Sequence, residues 1–204
     1  IWFDGQWDQH EWDGKRFGKL NADFKLDEVY SLIHRLQPKA LIGSNHHLAP
    51  NTGEDFQMFE KDLPGKGTKN FATSSDAIGN LPLEVCETIN GSWGFNLKDR
   101  KHKSKKELIQ YLVKAAGYGS NLLLNVGPMP NGKIQEEHIK SLKEIGVWLS
   151  KNGQTIYKTK KGPIETKKIF LCTNRPGIES LFSNFPRRIV NYKSSIFSKF
   201  WSPV

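Results

Sequence analysis

The chain has little sulfur and no long apolar run. Its 204 residues include only two cysteines and two methionines. No apolar stretch approaches the roughly 20 residues that a membrane-spanning helix needs. Cys86 and Cys172 are too few for a disulfide framework, and their surroundings lack metal-ligand spacing. The sequence therefore predicts no membrane contact, no metal and no cofactor.

Acidic residues are in the minority, with 21 Asp and Glu against 30 Lys and Arg, for a net charge of +9. Nine basic and two acidic residues follow position 159, a net +7 that leaves +2 for residues 1–159. A second basic run, residues 98–106, contains no aromatic residue that could stack on a base. We interpret it as a solvated loop before a helix and predict no nucleic-acid partner.

Short apolar runs alternate with amphipathic stretches along most of the chain. Strands are predicted at 1–4, 40–43, 83–89 and 121–127, and helices at 26–36, 104–116 and 135–149. This order predicts an α/β fold in which about four parallel strands with helices form part of a (β/α)8-type barrel. We assign residues 1–164 to this partial barrel. Residues 165–204 have no strong period and are predicted to be an irregular, divergent basic tail, either poorly ordered or foreign to the domain.

Polar side chains follow the predicted strands where each strand ends, as Asp4, Asn45, Glu87 and Asn125 show. In a (β/α) barrel the carboxyl ends of the strands carry the chemistry. Residues 48–82, rich in Gly, Pro and Asp, leave the same rim and have the length of a functional loop.

Two carboxylate groups in this pattern could work as a pair. Asp4 ends a strand, lies beside aromatic residues and precedes Gly5, which suits either a positioned nucleophile or a simple turn. The segment 53–65 holds four acidic residues and is either a solvated loop or the source of a second catalytic carboxylate. Glycoside hydrolysis needs two such groups, one ionised and one that protonates the leaving oxygen.

The remaining candidates suit a sugar ligand better than a metal. His46 and His47 follow a predicted strand, but no further ligands with compatible spacing accompany them. Contacts with sugar hydroxyl groups are the better interpretation. Trp93 lies on a Gly-rich turn after a strand, where it would either stack on a sugar face or cap the core.

Several segments together resemble the α-L-fucosidases of glycoside hydrolase family 29. They are IWFDG (1–5), LIGSNHHLAP (41–50), GEDFQMFEKDLPG (53–65), LPLEVCETINGSWGF (81–95), the segment 103–134 that contains NLLLNVGP, and GQTIYKTKKGPI (153–164). The resemblance implies a retaining glycosidase that removes terminal α-L-fucosyl residues from glycans without a cofactor. It implies Asp4 as the nucleophile and Glu60 as the acid/base, with Glu54 as the second choice and Glu84 as the third.

The same resemblance implies a substrate site and a location. Trp93, His46, His47 and Trp7 are the implied substrate-binding residues, and a fucosylated glycan is the implied partner. Enzymes of this family generally act outside the cytosol, in secreted, periplasmic or lysosomal settings, so we expect an extracytoplasmic location.

The chain also departs from the family. Neither the family's barrel strands upstream of the nucleophile nor its C-terminal β-sandwich is recognisable in this sequence. We therefore expect a fragment with little activity alone. The alternative function is a non-catalytic carbohydrate-binding or interaction module derived from such an enzyme.

Overall fold

The computed structural model describes residues 1–5, 10–12, 17–20, 22–65, 78–162, 170–175, 178–183 and 189–192. The chain divides into two compact units, residues 1–87 and 88–204. Within the described residues, no helix is long and apolar enough to cross a membrane.

The first unit is built on parallel strands. They are β1 (Trp2–Phe3), β4 (Gly43–Ser44), β5 (Phe56–Glu60) and β6 (Leu83–Thr88), hydrogen-bonded in that order. Their registers pair Phe3 with Ser44, Ser44 with Gln57, and Glu60 with Cys86. An antiparallel hairpin of β2 (His10–Trp12) and β3 (Phe17–Leu20) lies between β1 and the helix α1 (Leu26–Leu36) in the sequence.

Helix α1 follows from its sequence and covers one face of these strands. Asp27 and Glu28 lie in its first turn and Arg35 in its last, which complements the helix dipole. Its one buried residue is Tyr30, which is 0% exposed and meets the ring of Phe3 edge-on at 5.0 Å between centroids. Because Phe3 faces the helix, the next residue along the chain points to the opposite face of the sheet.

The core of the first unit lies around β5 and β6. Ile42, Met58, Phe59 and Val85 are buried there, together with Cys86. Burial, with the nearby carboxylates of the strand ends, raises the pKa of the Cys86 thiol to about 12. The thiol therefore stays protonated and packs as a small apolar side chain.

The second unit contains α2 (Lys105–Gly117), β7 (Ser120–Asn125) and α3 (Glu136–Asn152), followed by a short 3₁₀ helix (Gly153–Thr155). Ser104 and Glu107 form a reciprocal capping box at the start of α2. Ile89, Leu108 and Ile145 form the buried cluster of this unit. A four-stranded antiparallel sheet has the order β11 (Ile189–Tyr192), β10 (Ile178–Ser183), β9 (Phe170–Arg175) and β8 (Lys160–Lys161).

The predicted α/β class with parallel strands and helices is confirmed. Several strands were not predicted from the sequence. Strand β5 lies inside the segment that we interpreted as one long rim loop. The hairpin of β2 and β3 and the short β8 have no counterpart among the predicted strands, and residues 170–192 contain three strands where no period was visible. The proposed division at residue 164 stays a prediction.

Candidate active site

Three polar side chains meet at the ends of adjacent parallel strands in the first unit. Asp4 follows β1, Asn45 follows β4, and Glu60 is the last residue of β5. The amide nitrogen Nδ2 of Asn45 lies 3.2 Å from Oδ1 of Asp4 and 2.8 Å from Oε2 of Glu60. One amide group can therefore donate one hydrogen to each carboxylate, and it holds the two at a fixed separation.

These contacts limit how far apart the carboxylates can be. Two oxygens bonded to one nitrogen at 3.2 Å and 2.8 Å are separated by at most the sum of those distances, 6.0 Å. Retaining glycosidases place their two carboxyl groups about 5–5.5 Å apart, whereas inverting enzymes need about 6.5–9.5 Å to fit a water. The arrangement of Asp4 and Glu60 is compatible with the first class.

The backbone around Asp4 leaves its carboxylate accessible. Gly5 has φ of 88°, a left-handed conformation that lets the chain turn directly after the strand. Its N–H donates to Oδ1 of Asp4 at 2.9 Å, the same oxygen that Asn45 contacts. Asp4 is exposed, and no other described residue donates to its second oxygen, Oδ2.

His47 contacts both Glu60 and Asn45. It is buried, and its φ of 57° turns the chain so that Nε2 lies 2.9 Å from the backbone nitrogen of Glu60 and 3.0 Å from Oδ1 of Asn45. The proton position decides which contact is a hydrogen bond, because the backbone N–H only donates and the amide oxygen only accepts. Burial lowers the pKa of His47 from 6.5 to about 4, although Asp62 and Asp4 oppose the shift. His47 is therefore neutral near pH 7.

Acid should destabilise the first unit through His47. His47 takes up a proton near pH 6.5 in the unfolded state and only near pH 4 in the folded state. Its contribution to the free energy of unfolding is therefore complete above pH 6.5 and is lost as the pH falls towards 4. We expect a loss of about 3 kcal/mol from this group, measured as the free energy of urea unfolding against pH. His47→Asn should flatten the profile, and asparagine tolerates the positive φ at this position. An unchanged slope in His47→Asn would contradict this assignment.

His46 binds a buried carboxylate, that of Glu54. Its Nδ1 accepts from the N–H of Leu48 at 2.9 Å, so the proton is on Nε2, which donates to Oε1 of Glu54 at 2.8 Å. Both side chains are almost fully buried, and Asn51 contacts the same oxygen of Glu54 at 3.2 Å. Both ring nitrogens of His46 are thus used inside the protein. Its predicted contact with substrate stays a prediction, but this geometry favours a structural role.

Removing the imidazole of His46 should leave Glu54 buried without its main donor. We expect His46→Ala to lower the free energy of unfolding by about 3 kcal/mol, because breaking a buried pair leaves an uncompensated carboxylate. Combining it with Glu54→Leu should recover much of that loss, since no charge then remains buried. A purely additive loss in the double variant, measured by urea unfolding, would show that the pair is not coupled.

The other acidic residues near Glu60 have separate positions. Asp55 accepts from the backbone N–H of Ile42 at 2.8 Å and contacts Nε2 of His34 at 2.9 Å. Burial raises the pKa of Asp55, but these hydrogen bonds outweigh it and keep the pKa below its usual value. Glu84 lies in register with Met58 on β5, and burial raises its pKa. A raised pKa suits an acid, so Glu84 remains an alternative to Glu60.

In the second unit, several hydrogen bonds fix the conformation of the loop that carries Trp93. Nδ2 of Asn125, at the end of β7, donates to the carbonyl of Trp93 at 2.8 Å. Nζ of Lys103 donates to the carbonyls of Thr88 and Asn90 at 2.6 Å and 3.0 Å. A Cβ added at Gly127 would lie 2.6 Å from the backbone of Gly94, so only glycine fits there.

Not every predicted site residue can be located. Trp7 lies outside the described residues. Sequence reasoning placed Asn45 at the end of a predicted strand, on the rim that carries the chemistry, but it missed the link from Asn45 to both carboxylates. The one available signal was the position of Asn45 directly after a strand. Among the described residues, no cluster of three or more His, Cys, Asp or Glu could hold a metal ion.

Comparison with known proteins identifies the family of this chain. The α-L-fucosidase family model matches residues 1–154. The chain belongs to the α-L-fucosidase family. Human plasma α-L-fucosidase is 30% identical over 161 residues, which cover 66% of this chain and 34% of that protein. Mouse tissue α-L-fucosidase is 32% identical over 120 residues, covering 54% and 26% of the two chains.

Solved fucosidase structures resemble this chain in three dimensions. α-L-Fucosidase isoenzyme 1 from Paenibacillus thiaminolyticus superposes with a TM-score of 0.65 at 27% identity, covering 91% of this chain and 42% of that one. The Thermotoga maritima α-fucosidase in complex with fucose gives a TM-score of 0.59 at 25% identity, covering 77% and 34%. The chain spans about a third of the length of the plasma fucosidase that it matches.

Proposed function

We propose that these residues perform retaining hydrolysis of terminal α-L-fucosyl linkages in glycans. The observation that carries the proposal is the Asn45 amide, which contacts the carboxylates of Asp4 and Glu60 and limits the contacted oxygens to a separation of 6.0 Å. Membership of the α-L-fucosidase family supports the choice of fucose as the sugar.

The reaction would proceed in two displacements. In the first, Oδ2 of Asp4 attacks the anomeric carbon while Glu60 donates a proton to the leaving glycosidic oxygen, which gives a fucosyl ester on Asp4. In the second, Glu60 removes a proton from water, and the water attacks the same carbon and releases Asp4. Two inversions give net retention. Asn45 would keep the carboxylates in place during both steps.

We expect slow turnover from this chain by itself. Catalytic and binding residues in barrel enzymes come from the ends of several strands, whereas the three polar groups of this site come from the ends of β1, β4 and β5 alone. We also propose an extracytoplasmic location, which the plasma relative supports.

Covalent trapping tests the proposal even when turnover is slow. Incubation with 2-deoxy-2-fluoro-α-L-fucosyl fluoride should add one fluorofucosyl group to Asp4, detected by mass spectrometry of the peptide that contains residues 1–5. The Asp4→Asn variant should remain unlabelled, and Asp27→Asn should label as the unaltered chain does. Labelling at another carboxylate would overturn the assignment of Asp4. Binding of fucose without any labelling would favour a non-catalytic carbohydrate-binding module.

A further inference from the structure

A cavity of 330 Å³ lies within the second unit, and its lining includes neither carboxylate of the proposed reaction. Its walls are the loop that follows Trp93, residue Met129 and the start of α3. Cavities that bind small molecules have volumes of about 300–1,000 Å³, so this one is large enough for a single small ring.

One side of the cavity is apolar. Phe95 and Met129 are half-buried in its wall, and Leu97 is 72% exposed. An aromatic ring beside flexible apolar side chains offers a surface on which the C–H face of a sugar ring can pack.

The other side of the cavity carries exposed charged side chains. Arg100, Glu136 and Glu137 line the cavity, and their side chains form no hydrogen bond or ion pair with another described residue. By contrast, Oδ2 of Asp99 accepts from the backbone N–H groups of Gly91 and Ser92 at 2.8 Å and 2.7 Å. Asp99 therefore holds the loop in place, while the other three side chains remain for a ligand.

His102 contributes an aromatic ring to the same wall. It lines the cavity, and its imidazole packs edge-on against that of His138, with 5.3 Å between the ring centroids. A ligand in the cavity would therefore change the surroundings of both rings.

These groups together define the chemistry of the ligand. Arg100 lines the cavity together with the carboxylates of Glu136 and Glu137, and Asp99 adds a third carboxylate to the lining, which disfavours an anion. A wholly apolar ligand would desolvate the charged groups. The hydroxyl groups of a sugar ring match the charged side of the cavity, because they both donate to carboxylates and accept from a guanidinium. The C–H face of the ring matches the apolar side. We propose that this cavity binds a neutral hexose unit of a glycan. The inference goes beyond the proposed function, because the cavity lies within the second unit and its lining includes neither Asp4 nor Glu60.

Direct binding tests this site without any turnover. D-Galactose and N-acetyl-D-glucosamine are titrated into the full chain while the imidazole Cε1 protons of His102 and the neighbouring His138 are followed by NMR. At least one of the two sugars should move these signals and bind in the millimolar range, and D-galacturonate should bind more weakly. Phe95→Ala and Arg100→Met should each weaken binding about tenfold, whereas Glu144→Gln, two turns further along α3, should not.

The outcomes separate this inference from the proposed function. Absence of binding by both neutral sugars, stronger binding of galacturonate, or binding that survives both variants would overturn the site. Binding does not depend on the nucleophile, so Asp4→Asn should bind the hexose as the unaltered chain does. A chain that binds hexose but resists trapping by the fluorofucoside would refute the proposed reaction and leave this site standing.

Discussion

Replacing Asp4 by glycine should reduce hydrolysis of 4-nitrophenyl α-L-fucoside by at least about a thousandfold relative to the unaltered chain. The reason is that Oδ2 of Asp4 has no substitute within reach of the same carbon in the proposed reaction, while Oδ1 and its partners only orient the group. The release of nitrophenolate, followed at high protein concentration, measures the effect.

Azide should restore part of the lost activity. A small anion can occupy the space left by the carboxylate and attack the anomeric carbon once, which gives β-L-fucosyl azide with inverted configuration. Asp27→Gly, which changes a carboxylate on α1, should retain the original rate if the chain remains folded. Activity in Asp4→Gly without azide that matches the unaltered chain would contradict the role of Asp4.

Replacing Glu60 by glutamine should have an effect that depends on the leaving group. Glutamine keeps the size of the side chain and its contact with Asn45 but cannot donate the proton. We expect a loss of about a hundredfold to a thousandfold with a fucosylated sugar, which needs that proton. The loss should be much smaller for the first step with 2,4-dinitrophenyl fucoside, whose leaving group departs as an anion.

The other two candidates provide matched controls. Glu54→Gln changes a carboxylate that is buried against His46, so we expect it to alter stability rather than the dependence on leaving group. Glu84→Gln removes a half-buried carboxyl whose pKa burial raises. If Glu84→Gln, and not Glu60→Gln, shows the dependence on leaving group, Glu84 is the acid/base.

The helices were predictable because their signals are local. Leu26–Leu36 has apolar residues at helical spacing and Pro38 just beyond its end, and the structure gives those bounds. Ser104 followed by Glu107 fixed the start of α2 through the capping box. In each case the residues that decide the structure lie within one or two turns of each other.

Strand β5 was missed because the residue pattern of Phe56–Glu60 and its flanks is also typical of a loop. Phe56–Glu60 is flanked by acidic residues and glycine, and Gln57, Met58 and Phe59 are all buried, so polar and apolar positions do not alternate. A parallel strand buried on both faces has no period of two to detect. Its partners, Gly43–Ser44 and Leu83–Thr88, lie more than ten residues away in sequence, and only they make it a strand.

The candidate site shows the same division between local and distant signals. Asp4 and Glu60 could be named from motifs, but the role of Asn45 depends on contacts across 41 and 15 residues of sequence. His46 and His47 are adjacent and chemically alike, yet one binds Glu54 and the other supports Glu60. No sequence pattern distinguishes them, because the positive φ of His47 arises from the surrounding packing.

The close packing of Gly127 against a neighbouring loop has a consequence for motion. The backbone of Gly127 lies so close to Gly94 and Phe95 that an added Cβ would come within 2.7 Å of both. Two loops in such contact share their thermal displacements. A ligand that orders Phe95 would therefore also order the turn that carries Trp93, so a second sugar bound there would lose less conformational entropy. Cooperative binding could arise in this way without any change in the average structure.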